Sequence, residues 1–173
     1  MRINKLVRES WPAFRFIGKK YSGPANWGEW WANGWFETLE ALPLSTLNQD
    51  GYTEAIHAAA GQPEHWLGMF FPENTTPPEG FQWVDFPAMD CAVCYLYGSQ
   101  EELFRPEAPN QCLLALAEQG MEHQDGDWCF QRCACPGFTT PDEQGNVILD
   151  YIISIQKDNE KGTLQSKHMA EKQ

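Results

Sequence analysis

The segment from Asn146 to Ile155 is the part of the sequence that most constrains the fold. Alternation along it places five apolar side chains on one face of a strand: Val147, Leu149, Tyr151, Ile153 and Ile155. Asp150 and Ser154 point to the other face, because successive side chains of a strand alternate. The pattern predicts a well-buried last strand that carries an acidic group.

Size and charge limit the classes of protein to consider. The chain has 173 residues, about one domain, and buries a core without help from disulfides or metals. Its formal net charge of -12 argues against direct contact with nucleic acid or an anionic membrane, because both would repel it. The sequence shows neither an apolar membrane span nor a signal peptide. We therefore expect a cytoplasmic protein whose six cysteines are thiols.

The first half of the chain has the pattern of a strand, a helix and a further strand. Alternation predicts a half-buried strand at 13–20. Steps of three and four residues then predict one amphipathic helix that ends at Pro43, with the stripe Trp27, Trp31, Gly34, Trp35, Thr38 and Leu42. The segment 52–60 is ambiguous between strand and helix, whereas 65–71 has the pattern of a buried strand. Gly68 within it indicates close backbone approach.

The second half repeats this order after a proline-rich loop at 72–80. Its predicted elements are a strand at 88–97, a helix at 109–120, and strands at 127–135 and 146–155. Two β-α-β-β units supply two helices that cover one sheet, which is an α+β arrangement. The boundary between the two units is a natural place for a pocket. We expect one domain over 1–156, with halves at about 11–80 and 81–156, and a disordered or frayed tail at 157–173.

Five segments together carry a family resemblance. They are Phe14–Tyr21 with Gly23-Pro24, the tryptophan-bearing helix, Trp66–Phe70, Asp85–Gly98 and Asn146–Tyr151. In this order they resemble the GyrI-like domains, which are named for gyrase inhibitory protein and serve as effector-binding domains of AraC-type and MerR-type bacterial regulators. The resemblance covers about residues 14–155. It implies two modules related by a pseudo-twofold axis, an antiparallel sheet with two helices packed on it, and a cleft for hydrophobic, often cationic, small molecules.

One position departs from the family pattern. The resemblance implies a glutamate in the penultimate strand, within a pattern like Phe-Glu-x-Tyr, and this carboxylate attracts cationic ligands. Here the matching run is Phe130-Gln-Arg-Cys133, so Gln131 stands at that position. A glutamine neither neutralises a cation nor acts as a general base near pH 7. Asp150, Glu29 and Glu37 are alternative sources of charge, and the sequence does not show which of them faces the cleft.

The predicted ligand-binding residues combine the aromatic stripe with residues of the strands. Trp and Tyr bring large rigid faces and one polar group, which suit flat or cationic ligands. Trp27 and Trp31 lie near the helix start and are expected to face the ligand, whereas Trp35 is expected to be structural. A stripe at helical spacing is equally typical of a core-facing helix. The full predicted set is Trp27, Trp31, Met69, Phe71, Tyr95, Gln131, Asp150 and Tyr151.

The cysteines do not predict a metal site. Cys91 and Cys94 point to opposite faces of a strand and cannot share one ion. Cys129, Cys133 and Cys135 share a face by parity but have no evident fourth ligand. We interpret the thiols as buried apolar groups, and we expect no metal, no cofactor and no catalytic residue.

Three functions are compatible with the sequence. The first is a sensor domain that binds a hydrophobic or aromatic small molecule and works beside a separate DNA-binding regulator, without binding nucleic acid or membrane itself. The second is a hydrolase of reactive cyclopropane-type compounds, which the resemblance implies for some members, with Asp150 or Glu29 as acid beside Tyr95 or Tyr151. The third is an interaction module that inhibits a protein target through its acidic surface. Gln131 favours the first over the second.

Overall fold

The computed structural model describes residues 1–58, 62–123 and 128–157. The strands in these ranges are β1 (Arg2–Trp11), β2 (Phe14–Tyr21), β3 (Tyr52–His57), β4 (Glu64–Pro72), β5 (Gln82–Phe86), β6 (Met89–Gly98), β7 (Trp128–Cys133) and β8 (Val147–Ser154). The helices are α1 (Trp27–Asn33), α2 (Trp35–Glu40), α3 (Gln100–Leu103) and α4 (Glu107–Glu118), with a 3-10 turn at Thr46–Asn48. None of these helices has the length and apolar character of a membrane span. The expected tail from 158 onward, the end of the ambiguous segment at 59–60 and the first residue of the predicted strand at 127 lie outside the described ranges.

These strands form one antiparallel sheet in the order β1-β6-β8-β7-β3-β4-β2-β5. The order is symmetrical about the β3–β7 pair, because β4 and β2 follow β3 on one side and β8 and β6 follow β7 on the other. Each β-α-β-β unit is preceded by a further strand, β1 or β5, which pairs with the first strand of the other unit. The predicted α+β fold with an antiparallel sheet is confirmed, although the sequence pattern assigns no element to β1 or β5.

Two Pro-Ala corners require the sheet to curl. β1 passes into β2 through Pro12-Ala13, and β5 passes into β6 through Pro87-Ala88. β1 and β2 are six positions apart in the sheet order, which is about 29 Å in a flat sheet. Three Cα–Cα links span at most about 11 Å. The sheet therefore bends until these strand ends meet, and the Trp11 and Phe14 ring centroids lie 5.7 Å apart.

The face that carries the helices, here called the helix face, has two apolar clusters. α1 and α2 cover the first, whose buried members are Ile17, Trp30, Phe36, Leu39, Leu67, Met69, Phe71 and Phe81. α4 covers the second, which includes Cys94, Leu96, Cys112, Leu116, Val147, Leu149, Tyr151 and Ile153. The last strand thus shows the predicted alternation, with its odd-numbered residues facing α4.

The opposite face, here called the aromatic face, holds a cluster of rings inside the curl. Its main members are Trp11, Phe14, Phe16, Phe70, Phe86 and Phe130. Neighbouring centroids lie between 4.8 and 6.4 Å apart, most of them in edge-to-face or tilted contact. This spacing is the preferred range for aromatic pairs, so the aromatic face is a packed core.

The tryptophan-rich segment forms two short helices, so the prediction of a single helix up to Pro43 is wrong. Gly34 ends α1 in the left-handed conformation, with φ of 66°, and its N–H bonds to the carbonyls of Trp30 and Trp31. Glycine adopts this conformation without the steric cost that a side chain would bring. The break changes which residues face the core. The buried side chains are Trp30, Phe36 and Leu39, whereas Trp31 is 58% exposed.

Gly68 lies where two backbones approach closely, as its position in an apolar strand predicts. A Cβ added at Gly68 would lie 2.1 Å from the carbonyl oxygen of Ile17 and 2.8 Å from the Cα of Gly18. Gly18 is its cross-strand partner in β2. The two glycines therefore allow β2 and β4 to occupy space that a side chain would need.

Candidate functional site

The two β-α-β-β units meet on the helix face along a line that we call the seam, formed by Trp27, Glu54, His65, Gln131 and Tyr151. Glu54 of β3 lies directly across from Gln131 of β7, and Gln131 lies across from Tyr151 of β8. Directly opposed residues of antiparallel strands point to the same face. One cross-strand row therefore presents a carboxylate, an amide and a phenol side by side.

Glu54 is the charged group of the seam. The indole nitrogen of Trp27 donates to its Oε2 at 3.3 Å, and His65 Nδ1 lies 2.8 Å from its Oε1. The Glu54 side chain is 12% exposed and that of His65 is 21% exposed. Trp27 is half-buried and packs against both clusters of the helix face, so its ring bridges the two units. The carboxylate is thus partly withdrawn from water but still reachable from it.

The phenol of Tyr151 is neutral at the seam. Burial raises the pKa of the Tyr151 hydroxyl well above its ordinary value, and this hydroxyl donates to Cys129 Sγ at 3.2 Å. Burial also raises the pKa of the Cys129 thiol, which makes it a poor nucleophile. The seam therefore places the Glu54 carboxylate beside an imidazole, an amide, an indole and a protonated phenol, and a carboxylate with such hydrogen-bonding neighbours is suited to binding a cation.

Asp150, a predicted source of charge for the cleft, lies on the aromatic face. Its Oδ2 accepts from Arg132 Nε at 2.8 Å, and the two side chains are 5% and 3% exposed. Burial raises the pKa of the Asp150 carboxyl, and the Arg132 guanidinium opposes that shift. Tyr95 lies across from Asp150 on β6 and shares this face. Because the charge of Asp150 is already paired, it is not available at the seam.

The remaining predicted residues lie in the first unit. Phe71 is fully buried in the cluster beneath α1 and α2. Met69 belongs to the same cluster and lines a separate cavity beside α2. Trp31 is largely exposed on α1 and packs against Phe36 and Tyr52. Of the predicted set, the structure brings together Trp27, Gln131 and Tyr151.

Glu54 and His65 were not among the predicted ligand-binding residues. Residues 52–60 have no period that separates strand from helix, so the face of Glu54 is not readable from the sequence. Its position across from Gln131 depends on the pairing of β3 with β7, which joins the two units. Within the described ranges, no group of three or more His, Cys, Asp or Glu side chains is arranged to hold a metal ion.

The sequence matches no known protein-family model and no curated protein. Solved structures do match it. SAV2435 bound to tetraphenylphosphonium superimposes with a TM-score of 0.64 at 10% identity, over 88% of this chain and 94% of that chain. EcmrR in its complex with DNA gives 0.59 at 12% identity, over 88% of this chain and 57% of that chain. A hydrolase encoded by lin2189 from Listeria innocua gives 0.54 at 10% identity, over 89% and 93%.

At these identities the likeness is one of fold. The chain shares its fold with these proteins, and this is the GyrI-like fold that the resemblance of its sequence implies. The same fold occurs in a ligand-bound protein, in part of a protein in complex with DNA and in a hydrolase. The function of this chain has to be argued from its own residues, because one fold supports many functions.

Proposed function

We propose that this chain is a small-molecule sensor domain that binds an aromatic cation at the seam, with Glu54 as the counter-charge. The observation that carries the proposal is the cross-strand pairing of Glu54 with Gln131. The family pattern has its carboxylate at the position of Gln131, and here the neighbouring strand supplies one instead. Trp27 bonds to that carboxylate, so a ligand that reaches Glu54 displaces or shares the indole hydrogen bond.

Electrostatics favour a cation at this place. At an effective dielectric of about 20, opposite charges 4 Å apart attract by about 4 kcal/mol, against about 1 kcal/mol in water, before desolvation offsets part of the gain. The indole of Trp27 adds a π face, which contributes about 0.5–2 kcal/mol towards a cation above it. The formal net charge of -12 raises the local concentration of cations around the protein.

The structural neighbours support this proposal by analogy. SAV2435 holds tetraphenylphosphonium, a cation with four aromatic rings, on the same fold. EcmrR combines the fold with further chain in a DNA complex. We infer that this domain works beside a separate DNA-binding regulator, because its own acidic surface repels nucleic acid.

Glu54→Gln is expected to weaken the binding of tetraphenylphosphonium at least tenfold, about 1.4 kcal/mol, because it removes the charge but keeps the shape. Titration calorimetry measures the affinity. Tryptophan fluorescence follows the same titration, and Trp27→Phe should remove most of the ligand-dependent change because Trp27 contacts Glu54.

Two controls accompany this test. Glu118→Gln changes an exposed carboxylate on α4 and should leave the affinity unchanged. Triphenylphosphine oxide, which is aromatic but neutral, should bind the wild type and Glu54→Gln equally. Equal affinity of all variants for tetraphenylphosphonium would remove the seam as its site. Mass spectrometry of the recovered compound separates sensing from the hydrolase alternative, since consumption of the compound would favour an enzyme.

Gln131→Glu is expected to strengthen tetraphenylphosphonium binding severalfold. The introduced carboxylate would lie directly across from Glu54 and double the negative charge of the row. Two neighbouring carboxylates repel each other, and a bound cation relieves that repulsion. Without ligand, the Gln131→Glu protein should have a lower free energy of unfolding than the wild type. Bound tetraphenylphosphonium should remove this difference. Weaker binding would contradict a cation site at this row.

A further inference from the structure

A second surface lies beside the seam, around α2, the 3-10 turn and the start of β3. A cavity of 510 Å³ opens here, and its lining includes Glu40, Leu44, Asp50, Tyr52 and Met69. Met69 is buried and forms an apolar floor, whereas Leu44 is 41% exposed at the rim. The cavity is therefore apolar at its base and open to solvent.

Aromatic rings extend this surface outward. Tyr52 stacks on Phe36 with centroids 3.9 Å apart, and Trp31 meets Tyr52 edge-on at 5.3 Å. Trp31 is 58% exposed, although tryptophan is among the residues most costly to leave in water. We name the exposed Trp31 and Leu44, with the cavity between Tyr52 and Met69, the shelf.

The charged side chains that line the cavity of the shelf are carboxylates. Burial raises the pKa of the Tyr52 hydroxyl, Glu40 and Glu37 of α2 raise it further, and that hydroxyl donates to Glu40. Asp50 lines the cavity on its far side. Among the described residues, no basic side chain forms a salt bridge with these three carboxylates, whereas Glu64, Asp85 and Asp90 each have a basic partner.

We propose that the shelf docks an extended segment of a protein partner that carries an arginine or lysine and an apolar residue two positions apart. Residues two positions apart in an extended segment point to the same side, so the basic residue can reach Trp31 and Glu40 while the apolar one enters the cavity over Met69. An arginine suits this place because its guanidinium stacks on indole and pairs with carboxylates at the same time. This partner site is distinct from the ligand site, since Glu54 takes no part in it.

A fluorescein-labelled peptide in which arginine and leucine stand two positions apart, with serine between them, tests the proposal by fluorescence anisotropy. Wild-type protein should bind it, and Glu40→Gln with Asp50→Asn should weaken binding by about five- to tenfold at low salt. Asn tolerates the left-handed backbone at Asp50, where φ is 53°, so the fold is preserved. Trp31→Ala should lower the affinity for the peptide by a similar factor, because it removes apolar contact.

The matched control is Glu118→Gln with Glu143→Gln, which changes the net charge by the same amount at exposed positions of the second unit. It should leave the peptide affinity within twofold of the wild type. An equal loss in both double variants would overturn the proposal, because it would show attraction by net charge alone. Glu54→Gln should leave peptide binding intact, and Glu40→Gln with Asp50→Asn should leave tetraphenylphosphonium binding intact. Each site can therefore fail independently of the other.

Discussion

Phe130→Ala is expected to lower the free energy of unfolding by about 3–5 kcal/mol. The ring is 1% exposed, and its centroid lies 5.2 to 6.4 Å from those of five others, Trp11, Phe14, Phe16, Phe70 and Phe86. β7 is paired on both sides, so its backbone cannot move inward to fill the space that the ring leaves. The loss therefore includes both the transfer of the side chain and an open cavity.

Urea denaturation followed by circular dichroism measures this loss. Phe104→Ala is the matched control, because Phe104 is 43% exposed and contacts the ring of Phe138 at the surface, with centroids 5.9 Å apart. That substitution should cost less than about 1 kcal/mol, as is usual for surface positions. A comparable loss in both variants would show that the aromatic face does not behave as a packed core.

Sequence periodicity predicts this fold well wherever a strand has one clear pattern. In β8 the alternation places Tyr151 towards α4 and Asp150 on the other face, as the structure shows. Gly68 indicates a close backbone approach that also occurs. These predictions succeed because the side-chain direction within a single strand depends only on its own backbone.

Features that depend on two segments are harder to predict. The role of Glu54 depends on its position across from Gln131. That position requires both the pairing of β3 with β7 and the register of the pair. The helix break at Gly34 is also hard to predict, but for a local reason. An isolated glycine is tolerated inside many helices, so its presence alone does not indicate where a helix ends.

The sequence contains one short repeat that reflects the duplicated architecture. Trp11-Pro-Ala-Phe14 and Phe86-Pro-Ala-Met89 are two similar tetrapeptides, and they form the two corners of the sheet. In the structure they pair with each other, Trp11 with Met89 and Phe14 with Phe86. The repeat marks the start of each β-α-β-β unit, and in the structure each copy directly follows a strand that the apolar pattern does not predict.

Asp150→Ala is expected to lower the free energy of unfolding by about 3–5 kcal/mol, because it leaves the buried guanidinium of Arg132 without its counter-charge. Arg132 is 3% exposed and also donates from Nη1 to the carbonyl oxygen of Leu47 at 2.8 Å. The ion pair therefore connects β7 and β8 to the 3-10 turn before β3. Thermal and urea unfolding should both show the loss.

A double variant separates the effect of the pair itself from the cost of burying its charges. Arg132→Met with Asp150→Leu removes both charges and fills the space with apolar groups, so it should recover much of the stability lost in Asp150→Ala. Full recovery is not expected, since the carbonyl of Leu47 loses its donor. The exposed pair of Glu101 and Arg105 is the control, and Glu101→Ala should leave the unfolding midpoint nearly unchanged. A double variant no more stable than Asp150→Ala would mean that the ion pair stabilises the fold beyond compensating for its own burial.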